Sequence, residues 1–392
     1  MPWKELLPRD QKTQFISECI RDSLSFTQLC QRYHISRKTG YKWIARYQAL
    51  GPAGLLDRSR RPHTSPDQTP DAVRLAIIDA RRRHPSWGAK KLLKILQRKD
   101  PQQAWPSRWT ICEILKREGL VREKTKRRKV GHPGKPTSII TAANELWRVD
   151  FKGEFKTRDG RYCYPLTVTD SYSRYLLGCQ GLLSTETLGA KERLEGLFKK
   201  YGLPAAIRSD NGTPFASTAL GRLSQLSVWW IRLGIRPELI EPGKPQQNGQ
   251  HERMHRTLKA ETTRPPAATL AKQQQVFNRF RSEYNEVRPH EGIEMKTPAS
   301  LYSGSRRHLP KEVPELVYPA HFETRLVSKN SGIRWNSQWV AVSQTCAGLR
   351  LGLEEVDHGI WDVYLGPVKL GRLLEESLRI EDHLGRLKRK KV

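Results

Sequence analysis

The sequence has little that is typical of a membrane, secreted or thiolate-metal protein. No apolar run approaches the roughly 18–20 residues that span a bilayer, and the first residues lack the apolar core of a signal peptide. The six cysteines include no C-x-x-C pair, which argues against a zinc site and against a disulfide framework. We therefore expect a cytoplasmic protein with ordinary thiols and no membrane partner.

Negative charge is also scarce. The 392 residues contain 40 aspartates and glutamates against 70 lysines and arginines, a formal net charge of +30. Residues 1–135 hold 31 of the basic residues and only 12 of the acidic ones. Positive charge concentrated in the first third points to nucleic acid as a partner. Charge alone leaves open a ribosomal or generally adhesive basic protein. The length suggests two to four domains.

Residues 1–50 are predicted to form a helix-turn-helix. Apolar residues recur at helical spacing along Phe15, Ile16, Cys19 and Ile20, and again over 26–33. Ser36 is a suitable N-cap for a third, basic helix that follows a tight turn. The side chains expected to face a DNA groove are Lys38, Thr39, Lys42 and Arg46. The alternative is a plain three-helix bundle with a solvated basic face.

Residues 70–121 form a second, weaker helix-turn-helix candidate. Apolar residues share one face over 73–80 and another over 92–96, and Ser107 can cap a third helix. Trp87 and Trp105 are expected to be core anchors rather than base readers. The stretch 51–69 is rich in Gly, Pro, Arg and Ser and is interpreted as a linker.

Residues 122–140 are predicted to be a basic linker. Proline, glycine and seven basic residues make residues 122–136 a flexible tether that can lie along phosphates. The residues expected to contact DNA here are Lys124, Lys126, Arg127, Arg128 and Lys129. A merely soluble linker is the alternative. The tail, 381–392, is a second basic run.

Residues 141–300 and 313–380 have the patterns of two further domains. In the first, three predicted antiparallel strands precede alternating helix and strand, which indicates a mixed α/β sheet. The second has five predicted strands separated by glycine and asparagine turns, which favours a small β-barrel. The whole chain is therefore expected to be multidomain, with all-α, α/β and all-β parts.

Three carboxylates have contexts that suit metal ligands. Asp150 lies within the first predicted strand, Asp210 ends a neighbouring strand, and Glu252 lies on a helix across the sheet edge. Mg²⁺ prefers a few carboxylates with waters and phosphates, and two ions can clamp both sides of an in-line displacement at phosphorus. Arg256 and Lys259 share the helix face of Glu252, so one face could bind both metal and DNA. For any single carboxylate, a plain surface charge is the alternative.

The resemblance to a known family rests on four segments. Residues 146–151 (LWRVDF), 208–215 (RSDNGTPF) and 244–253 (KPQQNGQHER) resemble the three motifs of DDE transposases, whose core is of the retroviral-integrase type. Residues 284–291 (YNEVRPHE), with TPA at 297–299, resemble the stretch that closes this core in bacterial insertion-sequence transposases. The resemblance covers about residues 10–300 and implies a ribonuclease-H-like fold.

The resemblance also implies a function. Asp150, Asp210 and Glu252 would be the catalytic residues and would hold Mg²⁺ or Mn²⁺, as two ions. Arg253, with Arg256 and Lys259 on the same helix, would bind DNA. The enzyme would bind the terminal inverted repeats of an insertion sequence, cleave at the ends and join the 3′-hydroxyls to target DNA. Joining two ends implies a homo-oligomer on DNA, at least a dimer, in a bacterial cytoplasm at the nucleoid.

Two other functions stay open at this point. One is a DNA-binding regulator built from the helix-turn-helix units, with a catalytically inactive core. The complete set of three carboxylates argues against this regulator. The other is a metal-dependent nuclease without strand transfer. Only the family resemblance separates this nuclease from a transposase.

The spacing of the third motif departs from the family pattern. The 42 positions from Asp210 to Glu252 are more than is usual, and Leu223–Trp230 is interpreted as a local insertion. Glu238 and Glu241 lie closer to the usual spacing, but outside the N-G-x-x-E-R context, so Glu252 is favoured. The two tryptophans that end the insertion could pack in the core or stack on a flipped base, and core packing is favoured.

Overall fold

The computed structural model describes residues 8–22, 24–57, 68–121, 139–241 and 245–382. The chain divides into two compact units, Met1–Thr69 and Pro70–Val392. The five basic residues predicted to contact DNA from the linker, and residues 383–392 of the basic tail, lie outside the described residues.

The first unit contains three helices, as predicted. They are α1 (Pro8–Arg21), α2 (Phe26–Arg32) and α3 (Arg37–Leu50). The Oγ atom of Ser36 accepts a hydrogen bond from the backbone N–H of Thr39 at 3.2 Å, so Ser36 is the N-cap of α3. His34, at a φ of +50°, turns the chain between α2 and α3.

Two expectations for this unit were wrong. Ile20 is 68% exposed and does not belong to the core that Phe15 and Ile16 form. Residues Gly51–Leu55 are not a linker but a 3-10 turn that packs back, with Leu55 buried in that core. The pattern missed this turn because its apolar anchor follows a glycine- and proline-rich stretch.

The second unit begins with a bundle of three helices, α4 (Asp71–Arg83), α5 (Ala89–Lys99) and α6 (Arg108–Arg117). The Oγ atom of Ser107 accepts from the backbone N–H of Thr110 at 3.3 Å and caps α6 as predicted. Trp87 is 1% exposed in the bundle core, and Trp105 packs against that core. Both tryptophans are therefore core anchors, as expected.

A mixed sheet follows the bundle. Its strands are β1 (Leu146–Phe151), β2 (Phe155–Lys156), β3 (Tyr162–Asp170), β4 (Leu176–Leu182), β5 (Ala206–Ser209) and β6 (Arg236–Leu239). The order is β4-β3-β1-β5-β6, and β2 pairs with the start of β3. Strands β1, β3 and β4 are antiparallel, whereas β1, β5 and β6 are parallel. The predicted mixed α/β sheet is thus confirmed.

Helices cover both faces of this sheet. They are α7 (Thr187–Tyr201), α8 (Gln225–Arg232), α9 (Gly249–Thr262) and α10 (Leu270–Ser282). Phe198 of α7 and Trp230 of α8 pack with Trp147 and Ile207 of the strands in one core. Met254 and Leu258 of α9 pack with α10 and with Cys179 in another core. The strands are therefore buried on both sides, as their parallel members require.

The predicted local insertion is in fact part of the core. Helix α8 is the crossover that parallel pairing of β5 and β6 requires. Leu226 and Trp230 face the sheet core, whereas Val228 and Ile231 belong to a separate apolar cluster with the C-terminal strands. Trp229 is half-buried against Phe198, with ring centroids 5.3 Å apart. Core packing is therefore the observed state of both tryptophans.

The C-terminal part is rich in strands, but the expected closed barrel is not confirmed. The strands are β7 (Glu323–Leu326), β8 (Gly332–Trp335), β9 (Gln338–Ala341), β10 (Arg350–Asp357), β11 (Ile360–Leu365), β12 (Val368–Leu374) and β13 (Arg379–Asp382). They form an open five-stranded sheet, in the order β13-β12-β11-β10-β7, and a separate β8-β9 hairpin. Ile333, Trp335 and Val340 of the hairpin share one apolar cluster with the sheet. The hairpin thus covers the sheet as a second layer, and the sheet does not close on itself.

The helical bundle packs directly on the part of the second unit that carries α9 and α10. Nδ1 of His84 lies 2.9 Å from a carboxylate oxygen of Glu283, just after α10. Ser86 hydrogen-bonds to Glu261 of α9. The Arg98 guanidinium donates to the carbonyl oxygen of Met295 at 3.0 Å. Polar contacts therefore link the bundle to the part of the chain that includes α9, α10 and the residues after α10.

None of the described helices is long and apolar enough to cross a membrane. All six cysteines are free thiols, as the sequence predicts.

Candidate active site

The register of the sheet brings Asp150 and Asp210 to the same edge. Parallel strands β1 and β5 align Arg148 with Arg208. Asp150 lies two residues further along β1, and Asp210 lies two residues after Arg208, just past the end of β5. The carboxyl ends of parallel strands meet at one sheet edge, where ligand-binding residues commonly lie. Both aspartates are half-buried there.

A tight turn after β5 holds Asp210. The backbone N–H of Gly212 donates to Oδ1 of Asp210 at 3.3 Å. A Cβ atom at Gly212 would lie 3.1 Å from the other carboxylate oxygen, so a larger residue would crowd the carboxylate. The side-chain amide of Asn211 donates to the carbonyl oxygen of Ile240 at 2.9 Å and ties the turn to the end of β6.

Glu252 comes to this edge from the first turn of α9, where it is exposed. Burial, followed by the negative charge of Asp210 and, more weakly, that of Glu252, raises the pKa of Asp150 to about 7. Burial also raises the pKa of Asp210. The charge of Asp150 is therefore disfavoured both by burial and by its two acidic neighbours.

A buried network of hydroxyls and imidazoles lies beneath the carboxylates. The Thr167 hydroxyl donates to the Asp150 carbonyl oxygen at 3.0 Å, and a hydroxyl has only one proton. The Nε2 atoms of His251 and His255, at 2.7 Å and 2.6 Å, therefore both donate to Thr167. Nδ1 of His251 then accepts from the Thr169 hydroxyl at 2.9 Å.

This proton arrangement leaves one lone pair without a donor. It belongs to Nδ1 of His255, which lies 3.8 Å from Oδ2 of Asp150. Burial, with a further contribution from the charge of Lys152, lowers the pKa of His255 to about 3, so the imidazole is neutral near pH 7. Burial and the neighbouring His255 lower the pKa of His251 well below its usual range.

The donor set fits a divalent cation. Ligand atoms of Asp150, His251 and His255 lie within 4.8 Å of one another, although hydrogen bonds already occupy both nitrogens of His251. Oδ1 of Asn248 is buried and has no hydrogen-bond partner among the described residues, while its Nδ2 donates to Asp150 at 3.4 Å. Carboxylate oxygens and an amide oxygen are the ligand types that Mg²⁺ and Mn²⁺ prefer.

The two alternative glutamates, Glu238 and Glu241, form contacts with other side chains. Glu238 accepts from Arg208 and from Arg236, each at 2.8 Å. Glu241 is exposed, and its carboxylate accepts from the side-chain amide of Gln247 at 2.8 Å. The charge of Glu252, by contrast, raises the pKa of Asp150. Glu252 stays the predicted third carboxylate.

A buried arginine that the sequence analysis missed connects the strands to α9. The Arg148 side chain, 3% exposed, donates to the Ser171 hydroxyl at 2.9 Å and to the Gln247 carbonyl oxygen at 3.1 Å. Burial and the charge of Arg208 lower the pKa of Arg148 to about 9. Arg148 therefore fixes the turn that presents Glu252. The sequence signal was the arginine inside an apolar strand.

The predicted DNA-contacting residues lie on two helices of different units. Arg253, Arg256 and Lys259 are exposed along α9. On α3, Lys38 and Lys42 are exposed, whereas the Thr39 hydroxyl lies 2.9 Å from the capping hydroxyl of Ser36. Three cations surround the half-buried ring of Trp43 on that helix. They are Lys12, Lys42 and Arg46, at 4.2, 5.4 and 5.0 Å from the ring centroid.

Comparison with known families places this site in context. Two models described as integrase core domain match residues 140–245 and 233–298. A helix-turn-helix domain model matches residues 11–63, and a homeodomain-like domain model matches residues 39–115. The integrase matches span all three carboxylates.

Two bacterial insertion-element proteins are similar over most of the chain. The insertion element IS407 uncharacterized 31.7 kDa protein of Burkholderia multivorans is 26% identical over 284 residues, 70% of this chain and 97% of that protein. The insertion element IS476 uncharacterized 39.2 kDa protein of Xanthomonas euvesicatoria is 26% identical over 286 residues, 70% of this chain and 78% of that protein. Together with the integrase-core and helix-turn-helix matches, these relatives support a bacterial insertion-sequence transposase of the DDE integrase superfamily.

A solved structure adds a further likeness. It is the integrase catalytic core domain of HTLV-2, solved in complex with magnesium. The two chains are 15% identical, and the alignment covers 41% of this chain and 97% of that domain with a TM-score of 0.33. Among the sequence predictions, the family comparisons confirm an N-terminal helix-turn-helix region and a central integrase-like ribonuclease-H core. The integrase-core matches support a polynucleotidyl transferase.

Proposed function

We propose that the chain binds the terminal inverted repeats of an insertion sequence, cleaves the DNA at each end and joins the exposed 3′-hydroxyls to target DNA. The observation that carries this proposal is the strand register that brings Asp150 and Asp210 to one sheet edge, where the charges of Asp210 and Glu252 raise the pKa of Asp150. Repelling carboxylates in a chain of net charge +30 suit a cation-assisted reaction on a polyanion.

The three carboxylates would hold Mg²⁺ or Mn²⁺, as two ions, with His255 beside Asp150. When bound, the cations would neutralise the phosphodiester, activate the attacking oxygen and stabilise the leaving oxygen. The residues of the chain fix the geometry. Gly212 and Asn211 set the direction of Asp210, and the buried histidine network holds α9 against β3. Such positioning lowers the barrier because the reacting groups meet already aligned.

Both chemical steps use the same site. In cleavage, a water oxygen forms a bond to phosphorus, the bond from phosphorus to the 3′-oxygen breaks, and that oxygen leaves as a 3′-hydroxyl. In joining, this hydroxyl attacks a target phosphodiester and releases a target 3′-hydroxyl. The exposed cations of α9, Arg253, Arg256 and Lys259, would hold the DNA backbone beside Glu252 in both steps.

The DNA ends would be recognised by the first unit, with Lys38 and Lys42 on the exposed face of α3. The linker lysines and arginines between 124 and 129 would add phosphate contacts. Because two ends are joined to one target, the active species would be a homo-oligomer on DNA, at least a dimer.

The test is a pair of oligonucleotide assays with Mg²⁺ that separate binding from chemistry. Asp150→Asn, Asp210→Asn and Glu252→Gln should each abolish cleavage and strand transfer and keep end binding, since each removes one ligand charge with little change in volume. Glu241→Gln is the matched control. Strand transfer by Glu252→Gln within a few-fold of the parent would refute the assignment. Cleavage without joining in the parent would indicate a nuclease instead.

A further inference from the structure

A cavity of about 160 Å³ lies beside α9, on a face that does not include Glu252. Gln250, Arg253 and Thr257 line it from that helix, at the i, i+3, i+7 spacing of one helix face. The other walls come from Lys91 of α5, from Arg174 between β3 and β4, and from residues 284–292. Both the helical bundle and the sheet part of the second unit therefore contribute to one cavity.

Most of the basic side chains that line the cavity form no ion pair among the described residues. Four basic side chains line it: Lys91, Arg174, Arg253 and Arg288. Arg288 pairs with Glu261 at 2.7 Å, but among the described residues the other three form no ion pair. Nε of Arg174 is buried and has no hydrogen-bond partner in the described part of the chain. A buried donor without a partner indicates a missing acceptor.

The two acidic residues in the wall do not supply that acceptor. Asp170 is 1% exposed, and the backbone N–H groups of Asn144 and Ser173 donate to its two carboxylate oxygens, each at 2.8 Å. The Ser173 hydroxyl adds a third bond at 2.6 Å. Glu291 is exposed and forms no ion pair with a described residue. With Arg288 paired to Glu261, three cations of the wall face two carboxylates, and one of these carboxylates already accepts three hydrogen bonds.

Burial and neighbouring cations both disfavour further positive charge in this wall. Burial and the charge of Arg288 lower the pKa of Lys91 to about 8, although the charges of Glu291 and Glu261 oppose the shift. Burial, followed by the charges of Lys91 and Arg288, lowers the pKa of His290 to about 3, although its hydrogen bond to Tyr284 opposes the shift. The imidazole is therefore neutral, and the wall remains hydrogen-bonding without adding another cation.

We infer that this cavity binds one phosphate group, supplied by the DNA backbone near the reacting phosphodiester. The source of the phosphate rests on the proposed function. Arg253 directly follows Glu252, so the cavity lies within about one helix diameter, roughly 10 Å, of the third carboxylate. One DNA strand rises about 3.4 Å per nucleotide, so a strand in the active site reaches the cavity within a few nucleotides.

A phosphate held there would also tie the two parts of the second unit together. Lys91 belongs to α5 of the bundle, whereas Arg174 and Arg253 belong to the sheet part. One bound phosphate would satisfy donors from both. DNA in the active site would therefore stiffen the attachment of the bundle.

The first arm of the test locates the phosphate on the DNA. Single methylphosphonates, each removing one backbone charge, are placed one at a time along the transferred strand of an end oligonucleotide. We expect one position to weaken binding by the full-length protein about ten- to a hundredfold, as loss of a charged hydrogen bond does. In Lys91→Met that position should become insensitive, while all others keep their effect. Lys90→Met, an exposed lysine of the same helix outside the cavity, is the control and should keep the wild-type pattern.

The second arm separates a DNA phosphate from a free anion. Thermal unfolding is followed without DNA or divalent cation, in sodium phosphate against sodium chloride at equal ionic strength. Saturable stabilisation by phosphate that Lys91→Met loses and Lys90→Met keeps supports the cavity. The same result without any sensitive methylphosphonate position would overturn the DNA source and leave a free-anion site.

Equal behaviour of Lys91→Met and Lys90→Met in both arms overturns the inference altogether. Arg253→Gln, at an exposed position, replaces Lys91→Met if that variant does not fold. Asp150→Asn, which binds DNA without reacting in our proposal, should show the same sensitive position. The thermal arm uses no DNA, so failure of the proposed function would leave its outcome unaffected.

Discussion

Nδ1 of His255 lies 3.8 Å from Oδ2 of Asp150, and with the proton arrangement described above both atoms present lone pairs whenever Asp150 is ionised. Two lone pairs at this separation repel, and a cation between them removes the repulsion. A first-row divalent ion accepts both imidazole nitrogen and carboxylate oxygen. We therefore regard His255 as a residue that positions Asp150 and tunes cation binding.

Replacing His255 should weaken the response to cation more than it weakens DNA binding. In His255→Ala, the Mg²⁺ or Mn²⁺ concentration for half-maximal strand transfer should rise about ten- to a hundredfold, as for other residues that orient metal ligands. Titration of strand transfer with each cation measures the shift. His308→Ala, at an exposed histidine, is the control. An unchanged midpoint with a lower plateau would contradict a role at the cation.

Stability should depend on pH through Asp150. The raised pKa of about 7 means that the folded state binds a proton that the unfolded state releases near pH 4. This contribution to stability is therefore complete below about pH 4 and is lost as the pH rises through 7. Metal-free Asp150→Asn should be more stable than the parent at pH 8, by up to a few kcal/mol at about 1.4 kcal/mol per pKa unit. The difference should shrink toward pH 5.

Denaturant unfolding at pH 5 and pH 8, with and without Mg²⁺, measures this dependence. Added Mg²⁺ at pH 8 should stabilise the parent and leave Asp150→Asn almost unchanged. A variant less stable than the parent at pH 8 without metal would show that the buried carboxylate is not under repulsion.

DNA binding should divide into a base-reading part and a phosphate part. Alanine at the five basic residues between 124 and 129 should weaken binding to end and random DNA alike, and should flatten the salt dependence by about 0.9 per lost phosphate contact. Alanine at Lys38 and Lys42 should erase the preference for ends, since a good base contact is worth about 1–3 kcal/mol. Equilibrium titrations at several salt concentrations test both. If the linker variant alone loses the preference, α3 is not the reader.

Thr39 should behave differently from the two lysines. Its hydroxyl lies 2.9 Å from the Ser36 hydroxyl at the start of α3, so Thr39→Ala affects the cap as well as the surface. We expect a loss of about 1 kcal/mol or less in the stability of the first unit, with a smaller loss of end preference than for Lys42→Ala. Thermal unfolding and the same DNA titrations separate the two effects.

Specific end binding should be a property of the N-terminal part. A fragment of residues 1–135 should bind the element's ends, because α3 and most of the excess charge lie there. Footprints with fragments 1–135 and 136–392 measure it. A specific footprint from residues 136–392 alone would overturn this division.

Since Ser86 and Arg98 form hydrogen bonds to the sheet part, fragment 70–392 should be more stable than fragment 136–392.

Local patterns predicted the elements well where one physical signal dominates. Ser36 and Ser107 were predicted to be helix N-caps because each precedes apolar residues at helical spacing, where a hydroxyl can accept from a free backbone N–H. Both serines are N-caps in the structure. Asp150 and Asp210 were placed on neighbouring strands from apolar runs that end in a carboxylate. The register of Arg148 with Arg208 aligns those strands.

Pairing and long-range contacts could not be predicted in the same way. Alternation located five of the seven C-terminal strands but carries no information on closure, so an open sheet with a covering hairpin was mistaken for a barrel. The histidines at 251 and 255 have the i, i+4 spacing of one helix face, yet their acceptor, Thr167, lies 84 residues from the first of them. The phosphate cavity draws Lys91 and Arg288 from distant parts of the sequence.

Helix α8 is apolar on two opposite sides, with Trp230 in the core of the mixed sheet and Ile231 in the C-terminal cluster. Helix α8 therefore packs in the core of the mixed sheet and in the cluster of the C-terminal strands. Unfolding of either part would remove packing contacts from the other. Calorimetry on residues 139–382 should accordingly record one heat-absorption peak, because the catalytic sheet and the C-terminal strands melt as a single cooperative body. The C-terminal strands are thus an internal brace of the catalytic sheet, and a truncation near residue 300 would leave Val228 and Ile231 facing water.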